Sequence, residues 1–254
     1  MDKTQQGHIK TSIENRIATI EFYHPSHNSL PGKLLADLEH AIYSAGKDDH
    51  VILIVLKSAG DRTFCAGASF DELVAIDNEA VGKNFFMGFA NVINAIRKVP
   101  KIVIGRVHGK AVGGGVGLAS ACDYCMATKY ASIKLSELAV GIGPFVIGPA
   151  VERKMGISAY SHMSLNATEW RTADWAREKG LYTEVFQSTE QLDEYITHFT
   201  ERLVAMNPEA MGLLKKVFWE GTDHWDALLE ERAEMSGRLV LSDFSKQAIG
   251  AFLS

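Results

Sequence analysis

The sequence predicts an α/β core followed by an all-helical end. Three observations predict it. Over the first two thirds, apolar runs of strand length alternate with stripes of helical period. From about residue 150 onward the pattern is helical only. Two turns fifty residues apart, Phe64-Cys65-Ala66-Gly67-Ala68 and Gly113-Gly114-Gly115-Val116-Gly117, each follow a strand-like run and open a helix.

Residues 9–13 and 17–22 alternate with a period of two, and Glu14-Asn15-Arg16 reads as the hairpin turn between them. His24-Pro25-Ser26-His27-Asn28 is a loop. Leu34, Leu35, Leu38 and Ile42 form a helical stripe that Gly46 stops. The continuous apolar run 51–56 suits a strand buried on both faces, and 102–107 reads as the next buried strand. Between them the pattern predicts a helix over 80–97, ended before Pro100. The glycine turn over 109–117 leads to a small-residue helix over 118–122, then short strands over 124–127 and 132–134. A Gly-Pro-rich loop spans 141–149. Thr168, in Asn166-Ala167-Thr168-Glu169, reads as the cap of a helix running through Lys179 to Gly180. A helix over 192–206 stops at Asn207-Pro208, and two or three more follow. No internal sequence repeat is visible. The domain reading is a core with the site over 1–195 and a helical oligomerisation region over 196–254.

Composition excludes several function classes. A formal charge of −5 supplies no general basic face, so no nucleic-acid partner is expected. Residues 1–10 are polar, and no apolar run approaches the length of a membrane span. With three cysteines, an odd number, no disulfide framework is expected, and the reading is a cytoplasmic protein without a membrane partner. Cys122-Asp123-Tyr124-Cys125 has C-x-x-C spacing, but no second ligand pair follows nearby. These are read as structural thiols, and no metal is expected.

The two turns carry the chemistry. Glycine lets the backbone approach a ligand closely, and free N–H groups at a helix start face outward. Two such groups aimed at one oxygen make an oxyanion hole. A tight packing turn is the plainer reading. A dinucleotide or phosphate loop fits less well. Leu118 stands where the last glycine of G-x-G-x-x-G belongs, and Gly109-Lys110 is followed by Ala111 rather than Ser or Thr. Cys65 has no histidine placed as its partner and reads as structural. Glu137 stands among Ile133, Leu135, Leu138, Val140 and Ile142. Apolar surroundings would raise its pKa toward the range of proton transfer, and a solvated glutamate at a strand end is the competing reading.

Taken with Leu135-Ser136-Glu137-Leu138-Ala139-Val140-Gly141-Ile142-Gly143-Pro144, and with His108-Gly109-Lys110-Ala111-Val112 ahead of the glycines, the two turns resemble the crotonase superfamily of enoyl-CoA hydratases and isomerases. The resemblance covers almost the whole chain. It implies a spiral of repeated ββα units with a C-terminal helical trimerisation region, as a homotrimer or dimer of trimers. It implies an acyl-CoA substrate, with coenzyme A part of that substrate and no separate cofactor. Residue by residue, it places the oxyanion-hole N–H groups on Ala68 and Gly114 and the proton-transfer carboxylate on Glu137. Ala66, Phe70 and Gly113 fall among the substrate- and CoA-binding positions. Lys246, on the C-terminal helix, would approach the CoA phosphates. Leu228, Leu229, Met235, Leu239, Leu241, Phe244 and Phe252 would supply oligomer surface.

Departures narrow the expected reaction. Two-carboxylate hydratases of the superfamily carry a glutamate two places after the glycine triplet, where this chain has Gly117. Ser69 stands where Asp is usual, and Ser136 where Pro is. A single glutamate resembles the double-bond isomerases, and the residues lean that way. Hydration of a 2-enoyl thioester at the same site is the alternative, and a catalytically inactive acyl-CoA binder is an alternative of another class. Leu73, Val74, Ile76, Phe85, Phe86, Met87 and Phe89 would line an acyl pocket or form helix core.

Overall fold

A computed structural model describes residues 7–253, the side chains of 252 and 253 excepted, so the start of the polar N-terminal stretch and the Phe252 side chain lie outside the described residues. The chain opens with the hairpin β1 (His8–Glu14) and β2 (Ile17–Tyr23). Asn15 and Arg16 both have positive φ, as a two-residue turn matched to strand twist requires. Strand β2 alternates buried and half-buried residues, because only one face meets the core. Helix α1 (Gly32–Lys47) buries the predicted stripe of Leu34, Leu35, Leu38 and Ile42.

Three ββ units then follow. They are β3 (Leu53–Ser58) with β4 (Thr63–Cys65), β5 (Ile102–Val107) with β6 (Lys110–Val112), and β7 (Tyr124–Thr128) with β8 (Ile133–Lys134). The first strand of each joins a six-stranded sheet of order β1-β2-β3-β5-β7-β9, closed by β9 (Glu184–Phe186). The second joins a three-stranded parallel sheet of order β4-β6-β8. Every residue of β5 is buried, which explains its mostly apolar make-up, and the one charged residue, Arg106, pairs with Asp193. The small-sheet strands are two or three residues long, too short to leave a periodic signal, and β4, β6 and β9 go unrecognised in the sequence.

Helices follow the units: α2 (Phe70–Val74) and α3 (Glu79–Lys98) after the first, α4 (Gly114–Ala121) after the second, and α5 (Gly148–Leu165) after the third. Helix α4 starts at Gly114, not at Leu118, so the glycines form the first turn rather than a loop before it. Helix α6 (Ala173–Glu178) is capped by Thr172, whose side chain accepts from Trp175 N–H, so the cap predicted at Thr168 is four residues early.

The C-terminal part holds α7 (Thr189–Val204), α8 (Pro208–Phe218), α9 (Trp225–Leu239) and α10 (Asp243–Leu253), and residue 195 lies inside α7. Helix α9 runs antiparallel along α3, and the two backbones come closest at a pair of glycines. A Cβ on Gly82 would lie 2.8 Å from the Gly237 backbone. Helix α8 is tied to the large sheet through a buried polar cluster. Lys215 Nζ meets Asp123 Oδ2 at 2.6 Å and the Ile96 carbonyl at 2.7 Å, while Trp219 Nε1 donates to Asp123 Oδ1 at 2.7 Å. Asp123 also accepts the Val103 N–H, so the buried charges are paired and hydrogen-bonded. Cys122 and Cys125 are buried against Gly105, where a Cβ would come within 3.0 Å of both sulfurs. Among the described residues no helix is long and apolar enough to cross a membrane.

Candidate active site

The C-terminal ends of β4, β6 and β8 point into one cavity of about 440 Å3. The turn after β4 brings Ala66, Gly67 and Ala68, the turn after β6 brings Gly113 and Gly114, and the turn after β8 brings Ser136 and Glu137. Parallel pairing in the small sheet is what unites three segments distant in sequence.

The first turn is pinned from outside. Leu30 N–H donates to the Gly67 carbonyl at 2.8 Å, and Ser69 N–H donates to the Leu30 carbonyl at 3.1 Å. This parallel bridge uses the neighbours of Ala68 and leaves the Ala68 N–H to the opposite side. Asn28 supports the same loop, donating to the Ala59 and Thr63 carbonyls and accepting from His24 N–H. Ser69 caps α2 by accepting from Glu72 N–H, a task an Asp would also perform.

In the second turn Gly113 has φ 51° and ψ −115°, a conformation that L side chains rarely adopt. Its carbonyl accepts from Val116 and Gly117, and its N–H donates to the Lys134 carbonyl. Gly114 is the first residue of α4, and its N–H has no intrahelical acceptor. The turns touch: a Cβ on Gly67 would lie 3.7 Å from Gly114 N, and one on Gly115 would lie 2.4 Å from the Cys65 carbonyl oxygen. Cys65 itself is buried, with its thiol pushed up to about 12 by burial, which suits a structural role rather than a nucleophile.

Glu137 opens a single 3₁₀ turn, 137–140, ended by Gly141 in the left-handed region. The residue is half-buried, but its Oε2 is fully buried and without a hydrogen-bond partner. Burial raises the carboxyl to about 7, and the N–H groups of Glu137 and Ser136 offset this only in part. Its Oε2 is thus held away from bulk solvent, unlike that of a fully solvated glutamate at a strand end. The carboxylate lies against the second turn: a Cβ on Gly113 would sit 2.6 Å from Glu137 Oε1. A turn with a free N–H donor and a carboxyl of raised pKa therefore share one wall of the cavity.

A family model described as enoyl-CoA hydratase/isomerase matches residues 12–253. The chain belongs to that family. A short-chain-enoyl-CoA hydratase of Clostridium acetobutylicum is 26% identical over 94% of this chain and 92% of its own length. A peroxisomal Delta(3,5)-Delta(2,4)-dienoyl-CoA isomerase of Arabidopsis thaliana is 26% identical over 96% of this chain and 92% of its own. The crystal structure of an enoyl-CoA hydratase from Bacillus halodurans superimposes with a TM-score of 0.89 at 21% identity, covering 96% of this chain and 99% of that one. That last likeness establishes the fold, which is the expected crotonase spiral.

Within this family member, Gly117 lies buried in α4, and Ile147 fills the space beside it. A Cβ there would come within 2.4 Å of Ile147 Cγ2. Lys246 is exposed on α10 and does not line the cavity of its own chain. Phe70, Leu73, Phe85, Phe86 and Phe89 do line it, whereas Val74 is exposed, Ile76 is packed in the small cluster around Ile142 and Ile249, and Met87 packs against the main core. Lys134, Phe145, Ile147, Thr168 and Ser236 line the cavity without having been singled out for it in the sequence. Only the small-sheet register could have flagged Lys134, and a two-residue strand hides that register.

Proposed function

We propose that this family member acts on acyl-CoA thioesters and moves the double bond of an enoyl group. The observation that carries this reading is Glu137, a buried carboxyl held near pH 7 beside two turns with free N–H groups. The thioester oxygen would sit between the N–H groups of Ala68 and Gly114. Glu137 as carboxylate takes a proton from C2 of a 3-enoyl thioester, and the electron pair moves onto the thioester oxygen as an enolate. The protonated Glu137 then delivers its proton to C4, and the electrons return to form the C2–C3 double bond. One carboxylate suffices, because it ends the cycle as it began. The hole favours the enolate over the ground state, and one such donor contributes on the order of a hundredfold or more in turnover. The apolar wall of Phe85, Phe86, Phe89, Val140 and Ile142 supports an apolar acyl segment next to the thioester.

Hydration of a 2-enoyl thioester is the second reading. The hydroxyls of Ser136 and Thr168 on the cavity wall favour it, since they could orient a water for Glu137. Ile147 at the place of a second carboxylate weighs against it. A homotrimer is part of the proposal, supported by Leu213, Leu214, Val217 and Phe218, which α8 leaves exposed. Product analysis with 3-enoyl- and 2-enoyl-CoAs tests the reaction. A 2-enoyl product without a hydroxyl is expected. A 3-hydroxyacyl product would move the assignment to hydration, and saturable binding without turnover would leave a binder. Glu137→Gln is expected to lose either activity, and full activity of that variant would remove Glu137 from the mechanism.

A further inference from the structure

The outward face of the small sheet gathers two cations that the mechanism does not use. Side chains alternate along a strand, so Lys110 and Val112 of β6 share a face, and Lys134 of β8 stands in register with Val112. The opposite face carries the fully buried Ala111 and Ile133. The segment after α5 runs alongside β8: Ile133 and Arg171 exchange two backbone hydrogen bonds of 2.9 Å. This antiparallel bridge sets Trp170 next to Lys134. Lys134 Nζ lies 4.7 Å from the Trp170 ring centroid, and Lys110 Nζ lies 4.9 Å from it.

Two ammonium groups therefore crowd one indole. Among the described residues neither has a carboxylate partner, and the nearby Glu169 is held by Arg171 at 2.7 Å. A ring face attracts a cation but does not neutralise it, and like charges held together raise the local positive potential. The cluster is open to solvent and borders the site through Lys134. Lys134 lines the cavity, Lys110 is exposed, and Trp170 is 41% exposed. The other charged group on the cavity wall is Glu137, on the turn that follows β8.

We propose that Lys110 and Lys134, gathered on Trp170, form an anion subsite at the rim of the cavity that holds an oxyanion of the substrate, phosphate or carboxylate. The proposal rests on the acyl-thioester reading above and deepens it. A phosphate would belong to the carrier, and a carboxylate to the far end of the acyl group. Both accept charge-assisted hydrogen bonds from ammonium groups.

Calorimetric titration separates these sources. Wild type, Lys110→Gln, Lys134→Gln and Lys134→Arg are titrated with butyryl-CoA, glutaryl-CoA and S-butyrylpantetheine, which lacks phosphates. Each Gln variant is expected to bind at least one anionic ligand about tenfold more weakly, while S-butyrylpantetheine binding hardly changes. The loss shrinks with added salt, and Lys134→Arg retains affinity. A loss with both CoA thioesters assigns the subsite to carrier phosphate, and a loss with glutaryl-CoA alone assigns it to a carboxylate. Unchanged affinities for every ligand, or an equal loss with S-butyrylpantetheine, overturn the subsite alone. Wild-type protein that binds none of the three overturns the acyl-thioester reading and the subsite with it.

Discussion

Replacing Glu137 by Gln should make the protein more stable at alkaline pH. The Glu137 carboxyl is raised from the ordinary 4.5 to about 7 by burial, with Oε2 left without a hydrogen-bond partner. A pKa raised in the folded state means that folding favours the protonated form. The resulting stability is fully present below pH 4.5 and is lost as pH rises through about 7. Each pKa unit corresponds to about 1.4 kcal/mol, so the loss is on the order of 3 kcal/mol. The amide introduced by Glu137→Gln is neutral throughout and close in shape to the protonated acid. The variant should match wild type near pH 4.5 and exceed it by about 3 kcal/mol above pH 8, with the gap opening between those limits. In a chain of this length that is roughly 6–12 °C in Tm. Urea unfolding of both proteins at equal protomer concentration, across this pH range, measures the gap directly. Curves that stay parallel from pH 4.5 to 8 would refute the buried-carboxyl argument, because a solvated Glu137 leaves no differential titration. The activity of wild type should rise with pH through about 7, since the carboxylate is the form that takes the proton.

Gly113→Ala would place a Cβ 2.6 Å from Glu137 Oε1 on a backbone with φ 51°, so turnover should fall about a hundredfold or more, with a strain cost of about 1–3 kcal/mol read by denaturation. Gly117→Glu should cost several kcal/mol or fail to fold, because Ile147 occupies the space, and Gly117→Glu with Ile147→Gly should recover part of that loss in urea melts. Lys215→Met leaves Asp123 buried beside Trp219 without its cation, and equilibrium unfolding should show a loss of about 3–5 kcal/mol.

Much of the fold is legible in the chain because its longer elements carry their own signal. The stripe of α1, the alternation of β2 and the solid apolar run 51–56 that leads into β3 each reflect one local burial pattern. The three ββ units are a structural repeat without a sequence repeat, since the small-sheet strands are too short to show a period. Thr168 and Thr172 are both plausible caps by sequence, and only tertiary contact decides between them. Thr168 is drawn into the cavity wall, and the N–H of Trp175 reaches Thr172.

The two turns at residues 64–68 and 113–117 could be identified without coordinates, because glycine conformational freedom and free N–H groups are properties of the local chain. The resemblance to the crotonase superfamily marked Gly117 as the place of an absent carboxylate. The structure decided what surrounds them. It placed Ile147 in the vacated space, folded the Glu137 carboxyl out of water against Gly113, and set Lys134 beside Trp170. Those outcomes depend on which distant segments pack together. A carboxyl's pKa, like a cation's lack of partners, is a property of neighbours in space, and local sequence does not carry it.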